Sequence, residues 1–403
     1  MKEVRDYKHI LWLIIVVALG IGPAYANDGA VSPPKIQSAS AILTDAVTGQ
    51  ILYAKNIHEK KPIASTTKIM TAILVLENCK LDETVTASKT ASETPFTSLH
   101  LLPGERASVD DLLHALLIRS ANDTAVALAE HIGGTVPGFV QMMNDKAKLL
   151  GAKDTHYVTP NGLYAADHYS SAYDLALITR YALRNPEFNR IIATKSVRID
   201  RSINKQDVLV RTKSKFLLHY PGADGVKSGY IKQAGHCFVG SATRNGWRLV
   251  SVVLKSADSQ ADTVALMDYG FKNYQMLVLA DKDQTVRKIR VKGGKDELEV
   301  VPAERLQVAV RPNETDQATA EIKLNEIHAP VRKGDTVGTM TAYVGSKPVA
   351  SVDLKAAQDV NESIAFTTWP WVRTVSLLTM LTLGVVCGRT SAKSHGNGRS
   401  RLS

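Results

Sequence analysis

The feature that most constrains this chain is a change of hydrophobic period near residue 284. Upstream, apolar residues recur at helical spacing over residues 68–76, 109–118, 124–131, 136–150 and 171–183. Gly151 closes the fourth of these helices, and Asn185-Pro186 ends the fifth. Strand-like runs lie outside this helical block. Residues 39–43 and 50–54 flank a turn built around Gly49 and predict a hairpin; 237–242 and 247–254 predict a strand pair, followed by a closing helix over 262–270. Helices and strands are segregated rather than alternating, which predicts an α+β class. Downstream of 284 only short alternating segments occur (286–291, 298–301, 306–310, 320–324 and 349–354), with turn residues such as Lys333-Gly334-Asp335 between them. That pattern predicts a small all-β sandwich. A length of 403 residues accommodates both cores.

The two ends carry their own signals. Lys2, Arg5 and Lys8 precede a nearly continuous apolar run over 10–22, and Ala24-Tyr25-Ala26 supplies a small-x-small cleavage pattern. Residues 1–26 are therefore expected to be an export signal, too short in its apolar part for a full span of about 20 residues. At the other end, Trp369-Pro370-Trp371 leads into an apolar stretch to residue 388, followed by Arg389, Lys393, Arg399 and Arg401. Tryptophans at one edge and cations at the other predict a membrane anchor over 369–388, spanning or lying in the interface, with a basic tail at 389–403. The expected domains between are 32–278, carrying the chemistry, and 284–362, the sandwich. The location expected is the outer face of the cytoplasmic membrane or the periplasm.

Charge and composition exclude some functions. The net charge is +10, but basic residues are scattered and aromatics are only 6%, so no stacking platform for nucleic acid is expected. The excess charge suits an anionic membrane or wall polymer. Three cysteines are too few for a disulfide scaffold; pairing of Cys79 with Cys237 is left open, and Cys79 reads as helix-end packing. None of the eleven histidines stands at zinc-ligand spacing with another, so no metal and no organic cofactor are expected. His236 reads as strand packing, and Tyr269 and Phe271 as core.

Three short motifs remain. Ser65-Thr66-Thr67-Lys68 sets a hydroxyl and an amine three residues apart, on one face if a helix begins near Ser65. A helix N-terminus and nearby cations would lower the lysine pKa, letting a neutral amine take the serine proton. Alone, this spacing is as readily a helix cap followed by a surface lysine. Ser120-Ala121-Asn122 sits on a loop between two helices, where a second serine can relay a proton and an asparagine can hold an amide. Lys227-Ser228-Gly229 opens a strand-like stretch, offering a cation, a hydroxyl and a bare backbone.

These elements in this order resemble the serine enzymes that recognise penicillin. The chain as a whole resembles the low-molecular-mass D-alanyl-D-alanine carboxypeptidases, through Thr159-Pro160-Asn161-Gly162-Leu163, the run Pro221 to Lys227, Asp268-Tyr269-Gly270-Phe271 and both trailing segments. The resemblance implies a transpeptidase/β-lactamase-like domain, an antiparallel sheet with a helical subdomain. It implies that Ser65 forms an acyl-enzyme with Lys68 as base, and that Ser120 shuttles protons to the leaving D-alanine. Asn122 and Gly229 would position the peptide, Lys227 and Ser228 would bind its carboxylate, and the N–H groups of Ser65 and Tyr230 would form the oxyanion hole. Partners would be peptidoglycan stem peptides ending in D-Ala-D-Ala, and β-lactams. Two departures stand out: Ser228 and Ile231 replace threonines common in the family, and Ser259-Gln260-Ala261-Asp262-Thr263 lacks an arginine often found there. Arg211 and Arg248 are the candidates to compensate. A β-lactamase or DD-endopeptidase using the same site, and a non-catalytic wall-binding scaffold, are the competing readings.

Overall fold

The computed structural model describes residues 32–363; the expected export signal and C-terminal anchor lie outside them. Among the described residues no helix is long and apolar enough to cross a membrane.

The first part of the chain is built on one antiparallel sheet. Ser40–Asp45 (β1) and Ile51–Lys55 (β2) form the expected hairpin, with Gly49 at φ 78° in its turn. The helical block follows: Lys68–Asn78 (α1), Thr84–Thr86 (β3), Lys89–Ser92 (α2), Arg106–Ser108 (β4), Val109–His114 (α3), Asn122–Gly133 (α4), Val136–Leu150 (α5), Ala172–Ala182 (α6) and Pro186–Ile192 (α7). Ser196–Arg198 (β5), Leu209–Arg211 (β6) and Lys215–His219 (α8) lead to Ala223–Ile231 (β7), Gly235–Arg244 (β8) and Trp247–Ser256 (β9), then Ser259–Asn273 (α9). The sheet order is β2-β1-β9-β8-β7, so β7 is an edge strand. Helix α1 is buried from Lys68 through Val75 and packs against α4, α5, α6 and α7, which explains a helix with no polar face.

The second part begins with Gln275–Ala280 (β10), followed by Arg287–Arg290 (β11), Glu297–Pro302 (β12), Leu306–Val310 (β13), Ala318–Leu324 (β14), Thr336–Val344 (β15) and Lys347–Ala356 (β16). A five-stranded sheet, β11-β12-β16-β15-β14, and the β10-β13 pair enclose a core that includes Leu298, Val300, Val308 and Leu354. Gln50, at the foot of β2, joins the two parts: its Nε2 donates to the Ala309 carbonyl at 2.6 Å and its Oε1 accepts from the Ala309 N–H at 2.8 Å.

Several elements differ from the reading of the sequence. The run 109–118 is not one helix: α3 ends at His114 and the chain widens into a π-type turn over Ala115–Arg119, which delivers Ser120 in the left-handed region at φ 65°. Asn185-Pro186 does end α6, but it also starts α7, with Pro186 at its first turn and Asn185 Oδ1 accepting from the Glu187 N–H at 2.8 Å. Strand β7 begins at Ala223 rather than Lys227. Strand β10 pairs with β13 although its segment carried no strand reading.

A buried clamp braces the segment behind the helices. Arg201 and Glu105 are both inaccessible to solvent, and every guanidinium N–H of Arg201 has a partner. Nε reaches Glu105 Oε1 at 2.7 Å; the two terminal nitrogens reach Glu105 Oε2 and the carbonyls of His100, Leu99 and Asp207, each at 3.0 Å. Removing the arginine strands a buried carboxylate. Arg201→Met is therefore expected to lower unfolding free energy by about 3–5 kcal/mol in urea denaturation, with part recovered when Glu105→Gln is added.

Candidate active site

The turn that carries Ser65 is locally strained and tightly boxed. Residues Ala64–Thr67 form a 3-10 turn ahead of α1, with Ala64 at φ 48°. Thr67 Oγ1 donates to the Ala64 carbonyl at 2.8 Å and lies 2.7 Å from His168 Nε2. The other ring nitrogen of His168, Nδ1, accepts from the Val158 N–H at 3.0 Å, which leaves the proton on Nε2 to donate to Thr67. Burial holds His168 neutral, its pKa pushed down to about 4. Gly162, at φ +82°, fits beneath the same turn: a Cβ there would lie 2.0 Å from the Ala64 carbonyl oxygen.

Lys68, one turn on from Ser65, is fully buried, and its Nζ has three neighbours: Ser65 Oγ at 3.0 Å, Asn122 Oδ1 at 2.7 Å and the Asn161 carbonyl at 2.7 Å. Burial lowers its pKa well below the usual lysine range, and the charge of Lys227 lowers it further, against an opposing pull from Asp123. A neutral amine has two N–H groups and one lone pair. Two of its neighbours are carbonyl oxygens that can only accept, so the lone pair falls toward the Ser65 hydroxyl. The arrangement can take a proton from Ser65.

Asn122 opens α4 and is committed on both sides of its amide: Oδ1 holds Lys68, and Nδ2 donates to the Pro95 carbonyl at 2.8 Å. The next residue, buried Asp123, accepts from Ser98 Oγ (2.6 Å) and from the Leu99 and Leu101 N–H groups (2.9 and 3.0 Å). Together they fix the segment 95–101, of which Thr97 faces the cleft.

Strand β7 forms the opposite wall. A cleft of ≈ 430 Å³ is lined by Ser65, Ser120, Lys227, Ser228, Gly229 and Tyr230, among others. Lys227 is buried, donates to the Ser228 carbonyl at 2.7 Å, and has its pKa pushed down to about 7 by burial. A Cβ on Gly229 would lie 2.7 Å from the Ser65 nitrogen, so the edge-strand backbone runs directly against the serine turn. The motif residues Ser65, Ser120, Lys227, Ser228 and Gly229, with Tyr230, therefore line this cleft, and Lys68 and Asn122 stand just behind Ser65.

The surroundings add residues that sequence reasoning missed. His236, read as strand packing, does lie on β8, but it is exposed, lines the cleft and packs its ring against that of Tyr230, with centroids 4.6 Å apart. Arg248 is engaged elsewhere, by Asp224 (3.0 Å) and Asn189 (2.8 Å), and neither Arg248 nor Arg211 lines the cleft. Besides Lys227, Arg119 and Lys213 line it; Arg119 is held by both oxygens of Asp207 at 2.8 and 2.9 Å, whereas Lys213 makes no ion pair among the described residues. No motif marked Lys213 or His168. Cys79 and Cys237 are both unpaired thiols.

Comparison with known proteins identifies the family. A family model described as D-alanyl-D-alanine carboxypeptidase matches residues 27–258, and one described as penicillin-binding protein 5, C-terminal domain, matches 274–362. The chain is 33% identical to the D-alanyl-D-alanine carboxypeptidase DacF of Bacillus subtilis, over 81% of this chain and 87% of that protein. It is 32% identical to DacD of Escherichia coli, over 83% and 89%. Among solved structures, penicillin binding protein 5 from Haemophilus influenzae superposes with a TM-score of 0.72 at 29% identity, covering 83% of this chain and all of that one.

The tight approach of β7 gives a direct test. Gly229→Ala is expected to push the strand from the serine turn and slow covalent labelling of Ser65 roughly 10-fold or more, at an overpacking cost of about 1–3 kcal/mol. Stopped-flow acylation kinetics read this; an unchanged rate would mean that the strand and turn are not in contact.

Proposed function

Because the chain belongs to the D-alanyl-D-alanine carboxypeptidase family, we propose that Ser65 attacks the carbonyl of the penultimate D-alanine in peptidoglycan stem peptides and releases the terminal D-alanine. The protein is a serine-type D-Ala-D-Ala carboxypeptidase, acylated at the same site by β-lactams. The single observation that carries the residue assignment is the bonding of Lys68 Nζ, between two carbonyl acceptors and the Ser65 hydroxyl.

The steps follow from these groups. Lys68 accepts the Ser65 proton as Oγ bonds to the carbonyl carbon. The N–H groups of Ser65 and Tyr230 take the developing negative charge on the carbonyl oxygen. Ser120, held in the left-handed conformation at the cleft, passes a proton from the Lys68 ammonium to the departing amine, and the C–N bond breaks. Water then enters, loses its proton to Lys68, and hydrolyses the ester. The substrate carboxylate lies against Lys227 and Ser228, with Lys213 as the nearby cation in place of an arginine. Asn122 keeps Lys68 aimed at Ser65, and Gly229 lets the peptide and the serine turn share one narrow gap.

The two lysines set opposite limbs of the pH profile. Lys68 must be neutral, so the rate rises with pH through its lowered pKa. Lys227 must be charged, so in the free enzyme kcat/KM falls as pH climbs past about 7. Release of D-alanine from diacetyl-Lys-D-Ala-D-Ala is expected to trace this bell. Lys227→Arg is expected to move the alkaline limb upward, and Ser65→Ala to abolish both turnover and the penicillin adduct seen by mass spectrometry. Rapid release of the hydrolysed antibiotic would instead indicate a β-lactamase. Absence of any D-alanine, with no effect of Ser65→Ala, would leave only a wall-binding scaffold.

The same reading places the enzyme outside the cytoplasm, tethered by 369–388; the signal-like residues 1–26 and the tryptophan-flanked apolar stretch support it. The full chain is expected in the membrane fraction, resistant to alkaline carbonate, and a chain ending at residue 368 in the soluble periplasmic or extracellular fraction. Equal partition of the two would remove the anchor from the proposal.

A further inference from the structure

Away from the cleft, at the other end of the helix that carries Lys68, three potential metal ligands meet. Cys79 caps the C-terminus of α1, its N–H bonded to the Val75 carbonyl at 3.0 Å. Glu83 stands four residues on, in the turn before β3. His131 lies in the last turn of α4. Their ligand atoms, one thiol sulfur, one carboxylate oxygen and one imidazole nitrogen, all lie within 4.8 Å of one another. We propose that Cys79, Glu83 and His131 form a binding site for a borderline-soft divalent cation, zinc foremost, joining the ends of α1 and α4.

The chemistry of the donor set selects the metal. Thiolate and imidazole favour zinc over magnesium or calcium, and a carboxylate completes a three-ligand set with a fourth position for water. Bonds of about 2.0–2.3 Å in a tetrahedron put ligand atoms roughly 3.3–3.8 Å apart. The Glu83 Oε2 to His131 Nε2 separation is 3.6 Å already, so only modest rotation of side chains is needed.

The carboxylate is also oriented in advance. Glu83 Oε1 accepts the Lys80 N–H at 2.6 Å, while the Glu83 N–H donates to the Lys80 carbonyl at 3.2 Å and its carbonyl accepts from Val109. That turn leaves Oε2 facing the histidine, the kind of outer support that metal ligands require. All three side chains keep partial access to solvent, so an ion and a water can enter. Zinc would bind the thiol as its thiolate, displacing the proton to solvent. The ligands come from separate elements, which is why histidine spacing along the chain gave no sign of them.

The test uses the full chain, stripped with chelator and reduced. Titration with Zn²⁺ against a chromophoric chelator is expected to show one equivalent bound. Co²⁺ in its place is expected to give a near-ultraviolet thiolate-to-metal band. Cys79→Ser and His131→Gln are each expected to weaken binding at least 10-fold and to leave D-alanine release unchanged, since neither residue touches the cleft. If a variant folds poorly, the unaltered protein still decides: Zn²⁺ is expected to slow alkylation of Cys79 at least 10-fold, read on its own peptide so that Cys387 does not contribute, with Cys237 buried and silent in both states. No bound equivalent, no thiolate band, or alkylation indifferent to Zn²⁺ would overturn the site and reduce the cluster to a surface ion pair beside a bystander thiol. A failure of that kind leaves the carboxypeptidase reading untouched, because D-alanine release is measured separately.

Discussion

The structure turns on one amine without water. Lys68 is buried between two carbonyl oxygens, and its position forces several other choices. An ammonium there would cost heavily in desolvation, so the group is neutral more readily than any surface lysine. Neutrality fixes where its lone pair points, and that is toward Ser65. To hold such a group, α4 must begin where Asn122 can reach α1, the chain must return at Asn161, and α1 must be surrounded by helices rather than by solvent. The second buried lysine, Lys227, adds to the pressure by making a second positive charge nearby unfavourable.

Around the amine, the supports are graded in distance. Thr67 and His168 tie the serine turn from below; Asp123 ties the segment 95–101 from the side; the Arg201–Glu105 pair braces the same segment from behind. Each of these groups is buried and fully bonded, the condition under which polar residues rigidify a core instead of weakening it. The cleft itself is less tightly bonded. Ser120, Lys213, Tyr230 and His236 line it, and these are groups a peptide can engage.

How far the sequence discloses this depends on the kind of information. Periodicity disclosed α5 to the residue and the hairpin around Gly49 nearly so, because each is bounded by a glycine in the left-handed region. It merged α3 with the following π-type turn, since the apolar spacing of 109–118 runs on unbroken while only the backbone widens. It passed over β15, whose Thr, Gly and Ala residues alternate too weakly to register, and it treated Pro186 as a stop when proline serves equally to start a helix. Motif order brought out the residues that touch the chemistry. It was silent on His168, Arg201 and Lys213, whose importance comes from what folding places beside them. Asn122 shows the same limit: the motif pointed to the residue, but not that both ends of its amide are already taken within the protein.

The order of strands in the first sheet has a mechanical consequence. The rim at β2 is docked to the C-terminal strands through Gln50 and Ala309, and the rim at β7 borders the reactive serine. Five strands at about 4.8 Å set these rims roughly 19 Å apart, across a sheet too stiff to bend easily. The trailing strands are thus joined to the rim farthest from the reactive serine, and a displacement at that joint reaches β7 only through the whole width of the sheet.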